Sequence, residues 1–144
     1  VTGGEPLAQA ACRDLLTALA DAGHRVSLET SGALSIAGLD PRVRCVMDLK
    51  APGSGEADKN LWDNLDHLRP HDEVKFVLAG RADYDWAKDV LERHGLARRA
   101  TVLFSPVAGE LAPSTLADWI VADRLPVRFQ LQLHKILWGD ARGK

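Results

Sequence analysis

Apolar and polar positions along this chain follow two periods that alternate, which predicts strands and helices in turn. Segments rich in apolar and β-branched residues predict strands at residues 25–30, 43–50, 73–78, 101–106 and 127–133. From about Pro6 to Gly23, apolar side chains recur at i, i+4 spacing, which predicts a helix that ends at the glycine.

Two further helices are predicted between the later strands. Asp83 is expected to cap the first, which ends at Gly95, and Ser114 is expected to cap the second, which Pro126 closes. Residues 1–2 are interpreted as the end of a strand whose beginning is absent. Strands that alternate with helices or crossover loops pair in parallel, so the chain is predicted to be an α/β protein.

Composition and charge narrow the classes of protein that fit. A chain of 144 residues is expected to form one domain, spanning residues 1–144, and its net charge of -2 argues against direct nucleic-acid binding. No apolar stretch approaches the roughly 20 residues that span a bilayer, so no membrane association is expected. Cys12 and Cys45 lie far apart in the sequence and are predicted to be buried thiols, which fits a cytoplasmic protein.

Polar residues cluster at the predicted carboxyl ends of the strands. In a parallel barrel or an open α/β sheet, ligands bind at this rim. The rim is therefore the candidate active-site mouth, and its residues are Thr2, Glu29, Thr30, Asp48, Lys50, Ser105 and His134.

The run Thr-Gly-Gly-Glu-Pro at residues 2–6 is the most informative stretch. Its glycines let the backbone approach a ligand closely, and Glu5 offers a carboxylate for an amine. The run is suited to hold the amino-acid end of a small cofactor. An ordinary strand-to-helix turn is the alternative interpretation.

Several motifs together resemble the radical S-adenosylmethionine enzymes. They are Thr-Gly-Gly-Glu-Pro at 2–6, Leu-Glu-Thr-Ser-Gly at 28–32 and Met-Asp-Leu-Lys at 47–50. Residues 48–56, 74–77 and 130–139 narrow the resemblance to the 7-carboxy-7-deazaguanine synthases of queuosine biosynthesis, a tRNA modification pathway. The resemblance covers essentially the whole chain as far as Gly139, and the His-Lys-x-x-Trp tail is its most specific part.

The resemblance implies a partial TIM-type (β/α) barrel of the radical SAM type, with mostly parallel strands. It implies a carbon–nitrogen lyase that contracts 6-carboxytetrahydropterin to a deazapurine with loss of ammonia. The implied S-adenosylmethionine contacts are Gly4, Glu5, Asp48, Lys50 and Ser105, and the implied substrate contacts are Thr2, Glu29 and His134. No catalytic residue is assigned. A [4Fe-4S] cluster, Mg²⁺, a reductant such as flavodoxin and a homodimer are further expectations from the family.

The sequence departs from the family in one large respect. The family binds its cluster through a C-x3-C-x2-C loop upstream of the Gly-Gly-Glu motif, and two scattered cysteines cannot match it. The family's N-terminal substrate and magnesium residues are missing as well, so no metal ligand is assigned in this chain. The simplest explanation is a chain without its N-terminal strand or strands and cluster loop, and we expect this chain alone to be inactive.

Two other functions remain open at this point. An activating enzyme for a glycyl-radical protein shares the Gly-Gly-Glu-Pro run, although the tail at 133–135 counts against it. A cluster-free α/β module that binds a small molecule or a partner chain is the other.

Individual site residues also have structural interpretations. Asp48 and Lys50 are almost as well explained by a structural ion pair as by cofactor contact. Ser105 before Pro106 is equally well explained by the start of a turn. Glu29 as a solvated strand end and His134 as a core histidine are less favoured alternatives.

Overall fold

A computed structural model describes residues 1–139, except for the side chain of His134. Its strands are β1 (Ser27–Thr30), β2 (Arg44–Leu49), β3 (Glu73–Leu78), β4 (Thr101–Pro106) and β5 (Arg128–Phe129). Its α-helices are α1 (Cys12–Asp21), α2 (Arg81–Arg93), α3 (Pro113–Ala122) and α4 (Leu133–Trp138). Short 3-10 turns lie between these elements, and among the described residues no helix has the length and apolar character needed to cross a membrane.

The five strands form one parallel sheet in which spatial order follows chain order, β1-β2-β3-β4-β5. A doubly wound sheet would reverse its strand order at a switch point, whereas a (β/α) barrel adds each strand beside the last. Val1 continues the pattern outside β1, because its N–H donates to the Ser27 carbonyl (2.6 Å) and its carbonyl accepts from the Glu29 N–H (3.0 Å). The architecture is therefore an arc of a (β/α) barrel, as the family resemblance implied.

The two faces of the sheet differ in character. Leu28, Met47, Phe76 and Phe104 are fully buried on the face against which α1, α2 and α3 pack. Successive side chains of a strand point to opposite faces, and the other face carries most of the polar residues of the same strands. Its members in β1 to β4 include Glu29, Asp48, Lys75 and Ser105. This polar face is the one that lines the interior of a barrel.

The predicted helix from Pro6 is wrong in its first turns. A short 3-10 turn, Pro6–Ala8, comes first, Gln9 returns to an extended conformation, and α1 begins only at Cys12. The apolar period continues through this break, so the pattern alone did not reveal it. The Glu5 carboxylate accepts from the Leu7 N–H at 3.1 Å, and this cap stabilises the short turn.

The predicted final strand, 127–133, is mostly wrong. Only Arg128–Phe129 pairs with β4, and the chain enters α4 at Leu133. His134 therefore lies in a helix rather than at a strand end. The alternation of apolar and polar residues matched a strand, but Leu133 is 64% exposed and no sheet face buries it.

Both predicted helix caps are also wrong. Gly80 is the N-cap of α2, and Asp83 lies in the first turn, where its carboxylate accepts from the Gly53 and Ala79 N–H groups (2.8 and 3.0 Å). Helix α3 begins at Pro113 after Ala112, because proline at the first helical position needs no N–H partner and fixes a helical φ.

Candidate ligand-binding site at the carboxyl ends of the strands

A hollow of about 190 Å³ opens where residues 2–5, which we call the first loop, meet the carboxyl ends of β1 and β2. It is lined by Thr2, Gly4, Glu29, Thr30, Ser31, Asp48 and Lys50. The structure thus brings together six of the residues that the sequence singled out: Thr2, Gly4, Glu29, Thr30, Asp48 and Lys50. Their contacts with a ligand remain predictions.

Glu5 anchors the first loop to the end of β1. Its carboxylate accepts hydrogen bonds from the Thr30 hydroxyl (2.9 Å), the Ser31 N–H (2.8 Å), the Ser31 hydroxyl and the Leu7 N–H. Partial burial raises the pKa of Glu5, but hydrogen bonds from Ser31, Leu7 and Thr30 outweigh it and leave the pKa below its ordinary value. A ligand amine at Glu5 must therefore share the carboxylate with these internal donors.

The two glycines before Glu5 shape the wall of the hollow. Gly3 and Gly4 both have positive φ (101° and 56°), and a Cβ on either would meet no atom within 4 Å. Glycine is therefore needed at both positions because of the backbone conformation, and not because a side chain would clash with a neighbouring atom. The open space beside Gly4 leaves its main chain accessible from the hollow.

Asp48 lies between two lysines on the polar face of the sheet. Lys50 Nζ donates to Asp48 Oδ2 at 2.8 Å, and Lys75 Nζ lies 3.9 Å from Asp48 Oδ1. The ion pair that the sequence offered as one interpretation of Asp48 and Lys50 is therefore present. Within this cluster two ammonium groups face one carboxylate, so an anionic group of a ligand is favoured beside the lysines. The other charged residues that line the two hollows, Glu29, Asp83 and Glu110, are acidic.

Sequence reasoning did not identify Lys75. It lies in register with Asp48 across β2 and β3, and its side chain is about one-fifth exposed. The period-2 pattern of β3 already placed it on the face opposite Phe76. Only the pairing of β2 with β3 shows that the Lys75 side chain lies beside Asp48.

A second hollow, of about 490 Å³, adjoins the first and shares Asp48 and Lys50 with it. Its other lining residues include Lys75, Asp83, Glu110 and Gln132, from the loops and ends of later elements. The two hollows form a groove along the rim. A groove of this kind accommodates a ligand longer than an amino acid.

Ser105 lies apart from both hollows. It is fully buried in β4, in register with Val77, which lines the second hollow. The Ser105 hydroxyl is the one buried side-chain polar atom without a hydrogen-bond partner among the described residues. The turn interpretation is wrong, because Ser105 lies within the strand. An unpaired buried hydroxyl costs roughly 1–3 kcal/mol, so a hydrogen-bond partner for Ser105 would be stabilising.

The prediction for the His134 side chain lies outside the described residues and stays a prediction. Its helix begins directly after Gln132, which lines the second hollow.

The chain's cysteines do not fit an iron–sulfur cluster. Cys12 and Cys45 are both buried, as the sequence predicted, and lie on α1 and β2. Burial, with the nearby Asp72 carboxylate, raises the pKa of Cys45 to about 12, so its sulfur stays protonated, whereas cluster ligands are thiolates. Within residues 1–139, no group of three or more His, Cys, Asp or Glu side chains is arranged to hold a metal ion.

Fold and site together define a class of protein. Parallel strands in chain order, helices packed on one face and a polar groove at the carboxyl ends of the strands are the features of a (β/α)-barrel ligand-binding domain.

Comparison with known proteins identifies the family. The chain is 47% identical over 147 residues to the 7-carboxy-7-deazaguanine synthase of Chlorobaculum tepidum, an alignment that covers 99% of this chain and 67% of the relative. Proteins of the same name from Koribacter versatilis (40% identical, covering 96% and 67%) and Leptospira interrogans (37% identical, covering 99% and 65%) also match. No family model matches the chain.

This chain belongs to the 7-carboxy-7-deazaguanine synthase family and spans about two thirds of the length of these relatives. The family resemblance read from the sequence motifs is confirmed. The chain therefore does not belong to the glycyl-radical activating enzymes, which the sequence motifs had left open as an alternative.

Proposed function

We propose that this chain forms the cofactor- and substrate-binding rim of a 7-carboxy-7-deazaguanine synthase. The reaction is the ring contraction of 6-carboxy-5,6,7,8-tetrahydropterin to 7-carboxy-7-deazaguanine with loss of ammonia, a carbon–nitrogen lyase step that feeds queuosine synthesis. The observation that carries the proposal is the relative of that name with 47% identity across 99% of this chain. The groove at the carboxyl ends of the strands supports it.

S-adenosylmethionine would occupy the groove beside the first loop. The Gly4 main chain would contact its amino-acid end, and a ligand amine would have to displace or share one of the internal donors of Glu5. Lys50, which pairs with Asp48, would meet the ligand carboxylate. The contact of Ser105 with the nucleoside portion stays a prediction from the family, because its hydroxyl is fully buried and lines neither hollow. When bound beside a reduced iron–sulfur cluster, this cofactor supplies hydrogen-atom abstraction from the substrate.

The pterin would bind on the outer side of the first hollow. Glu29 is exposed on β1, lines the hollow and offers a carboxylate to the adjacent N–H donors of the pterin's guanidine-like edge. Thr2 and His134 complete the proposed substrate contacts. A carboxylate that accepts two parallel N–H bonds orients a planar ring as well as binding it.

No residue described here is assigned to the cluster or to the magnesium ion. Since Cys12 and Cys45 do not fit the cluster, no step of the reaction is assigned to them. The [4Fe-4S] cluster, Mg²⁺, a reductant such as flavodoxin and a homodimer belong to the proposal for the full-length gene product.

Turnover by the full-length gene product tests the proposal. The protein, reconstituted anaerobically with iron and sulfide, is incubated with 6-carboxytetrahydropterin, S-adenosylmethionine, Mg²⁺ and a reductant, and the product is measured by chromatography and mass. We expect 7-carboxy-7-deazaguanine from the wild type. The Glu29→Gln variant should raise KM about tenfold or more, because a charged hydrogen bond is worth roughly 1.5–3 kcal/mol. Absence of product from a cluster-loaded protein that binds S-adenosylmethionine would contradict the proposed reaction.

A further inference from the structure

The main chain of Lys50 is held by a single buried side chain. Lys50 follows the last residue of β2, so its peptide groups lie past the end of the sheet ladder. The Lys50 N–H donates to Asn60 Oδ1 at 2.9 Å, and Asn60 Nδ2 donates to the Lys50 carbonyl at 2.9 Å. Asn60 is only 7% exposed. Its amide therefore acts as a neighbouring strand would, pairing with both polar groups of one residue.

A second asparagine, four residues later, holds the loop after β1 in a similar way. Asn64 is fully buried, and its Oδ1 accepts from the Ile36 N–H at 2.9 Å. Its Nδ2 donates to the carbonyls of Gly32 (3.1 Å) and Leu34 (2.9 Å). The Leu61 N–H, between the two asparagines, also donates to the Gly32 carbonyl at 3.1 Å.

Residues 60–64, which we call the clamp segment, thus connect the two loops that flank the first hollow. One loop follows Ser31 and the other begins at Lys50, and both of these residues line that hollow. The clamp segment itself lines neither the first hollow nor the second. Its contacts are with the loops, so any effect on a ligand must pass through them.

We propose that the clamp segment fixes the ligand groove and that Asn60 is the positioning residue for Lys50. This inference rests on the proposed function, in which Lys50 meets the carboxylate of S-adenosylmethionine. An amide is required because it presents an acceptor and a donor side by side, which neither a carboxylate nor an aliphatic side chain does. With Asn60 in place, Lys50 is held ready to pair before the ligand arrives, so less ordering is needed on binding.

A double-mutant cycle with Lys50 tests the inference in the full-length gene product. Binding of S-adenosylmethionine is measured anaerobically by calorimetry for the wild type, Asn60→Ala, Lys50→Ala and the double variant. We expect Asn60→Ala to raise Kd about three- to tenfold, the equivalent of one or two net hydrogen bonds. In the Lys50→Ala background, the same change should alter Kd less than about twofold, because the side chain that Asn60 positions is gone.

Two other variants separate positioning from general stability. Asn60→Asp keeps an acceptor for the Lys50 N–H but turns a carboxylate oxygen toward its carbonyl, so we expect it to weaken binding as Asn60→Ala does. Asp72→Asn is the matched control, because Asp72 is a fully buried side chain that holds the Cys45 N–H (2.8 Å) and the Arg69 N–H (2.9 Å) at the opposite end of β2. The Asp72→Asn variant should have a lower free energy of unfolding, yet its Kd for S-adenosylmethionine should stay within about twofold of wild type.

Hydrogen exchange at the Lys50 amide, measured without ligand, completes the test. Faster exchange in Asn60→Ala, but not in Asp72→Asn, supports the inference, and unchanged exchange overturns it. An equal loss of affinity with and without Lys50, or no loss at all, also overturns it. A wild-type protein that fails to bind S-adenosylmethionine overturns the proposed function instead, and Lys50 amide exchange still decides whether Asn60 fixes Lys50.

Discussion

Glu5 illustrates how one side chain organises the rim at the scale of a residue. Four groups of the chain donate to its carboxylate: the Leu7 and Ser31 N–H groups and the Thr30 and Ser31 hydroxyls. A carboxylate has about four lone-pair positions, so these donors satisfy it. Glu5 therefore joins the first loop to β1 even without a ligand.

Replacing Glu5 with glutamine should destabilise the fold in a pH-dependent way. The pKa of Glu5 lies below its ordinary value of 4.5 in the folded protein, so its charged form favours folding. This contribution is fully present above pH 4.5 and is lost as the pH falls through the lower folded pKa. We expect Glu5→Gln to lower the free energy of unfolding by about 1–3 kcal/mol at pH 7. The difference from wild type should shrink in acid.

Urea unfolding at pH 7 and in acid measures this effect. Glu29→Gln is the control, since Glu29 is exposed on the same strand end, and we expect a change within about 0.5 kcal/mol. An equal loss from both variants, or a Glu5→Gln effect that does not depend on pH, would refute the role given to Glu5.

At the scale of elements, the rim depends on a close approach between the loop after β1 and the end of β2. Gly32 has φ +75°, and a Cβ there would lie 2.7 Å from the Asp48 carbonyl oxygen. Asp48 follows Met47, the residue in register with the last residue of β1. The two strand ends can approach in this way only because position 32 has no side chain.

Gly32→Ala should therefore cost more than conformational strain alone. We expect a loss of about 3 kcal/mol or more, because the new methyl group must displace the backbone of Asp48 as well as adopt a positive φ. Gly38 is the matched control: it has φ +72°, but a Cβ there would meet nothing within 4 Å. Gly38→Ala should cost only about 1 kcal/mol. Chemical denaturation of both variants measures the difference, and equal losses would show that crowding at Gly32 is unimportant.

Element boundaries show where sequence patterns succeed. The bounds predicted for β3 and β4 match the structure, because β3 alternates buried with half-buried positions and β4 is buried after its first residue, so both carry a strong apolar pattern. The patterns fail at α1 and β5, where a side-chain cap and the lack of a packing partner override periodicity. An apolar periodicity in the sequence therefore corresponds to a buried face only where another element packs against that face.

At the scale of the whole molecule, the cysteines limit what this chain can do alone. Cys12 and Cys45 are buried in different elements, and Cys45 remains a thiol at neutral pH. The 144-residue chain by itself should therefore bind no stoichiometric four-iron cluster and should not turn over the pterin. Iron and sulfide analysis after anaerobic reconstitution measures this, with a Cys12→Ala, Cys45→Ala double variant as control. Four iron atoms per chain, lost in that double variant, would refute the prediction.

The sequence by itself determined the class and the family of this protein. Alternating periods predicted parallel strands and crossover helices, and the predicted strand ends supplied Thr2, Glu29, Thr30, Asp48 and Lys50 as rim positions. These features are local, since each strand carries its own apolar run and ends in its own polar residue. Strand order then follows from connections that keep successive strands adjacent.

Only the tertiary structure decided how the rim is built. The pairing of Lys75 with Asp48 depends on the register between two strands, and the contacts of Asn60 and Asn64 depend on a loop that folds back across two strand ends. The Glu5 carboxylate likewise accepts hydrogen bonds from Thr30 and Ser31, which lie 25 and 26 residues away in the chain. Such contacts join groups that are far apart in the chain, and no periodic pattern encodes which of many polar side chains will meet. Packing selects them, because a buried polar group must find a partner.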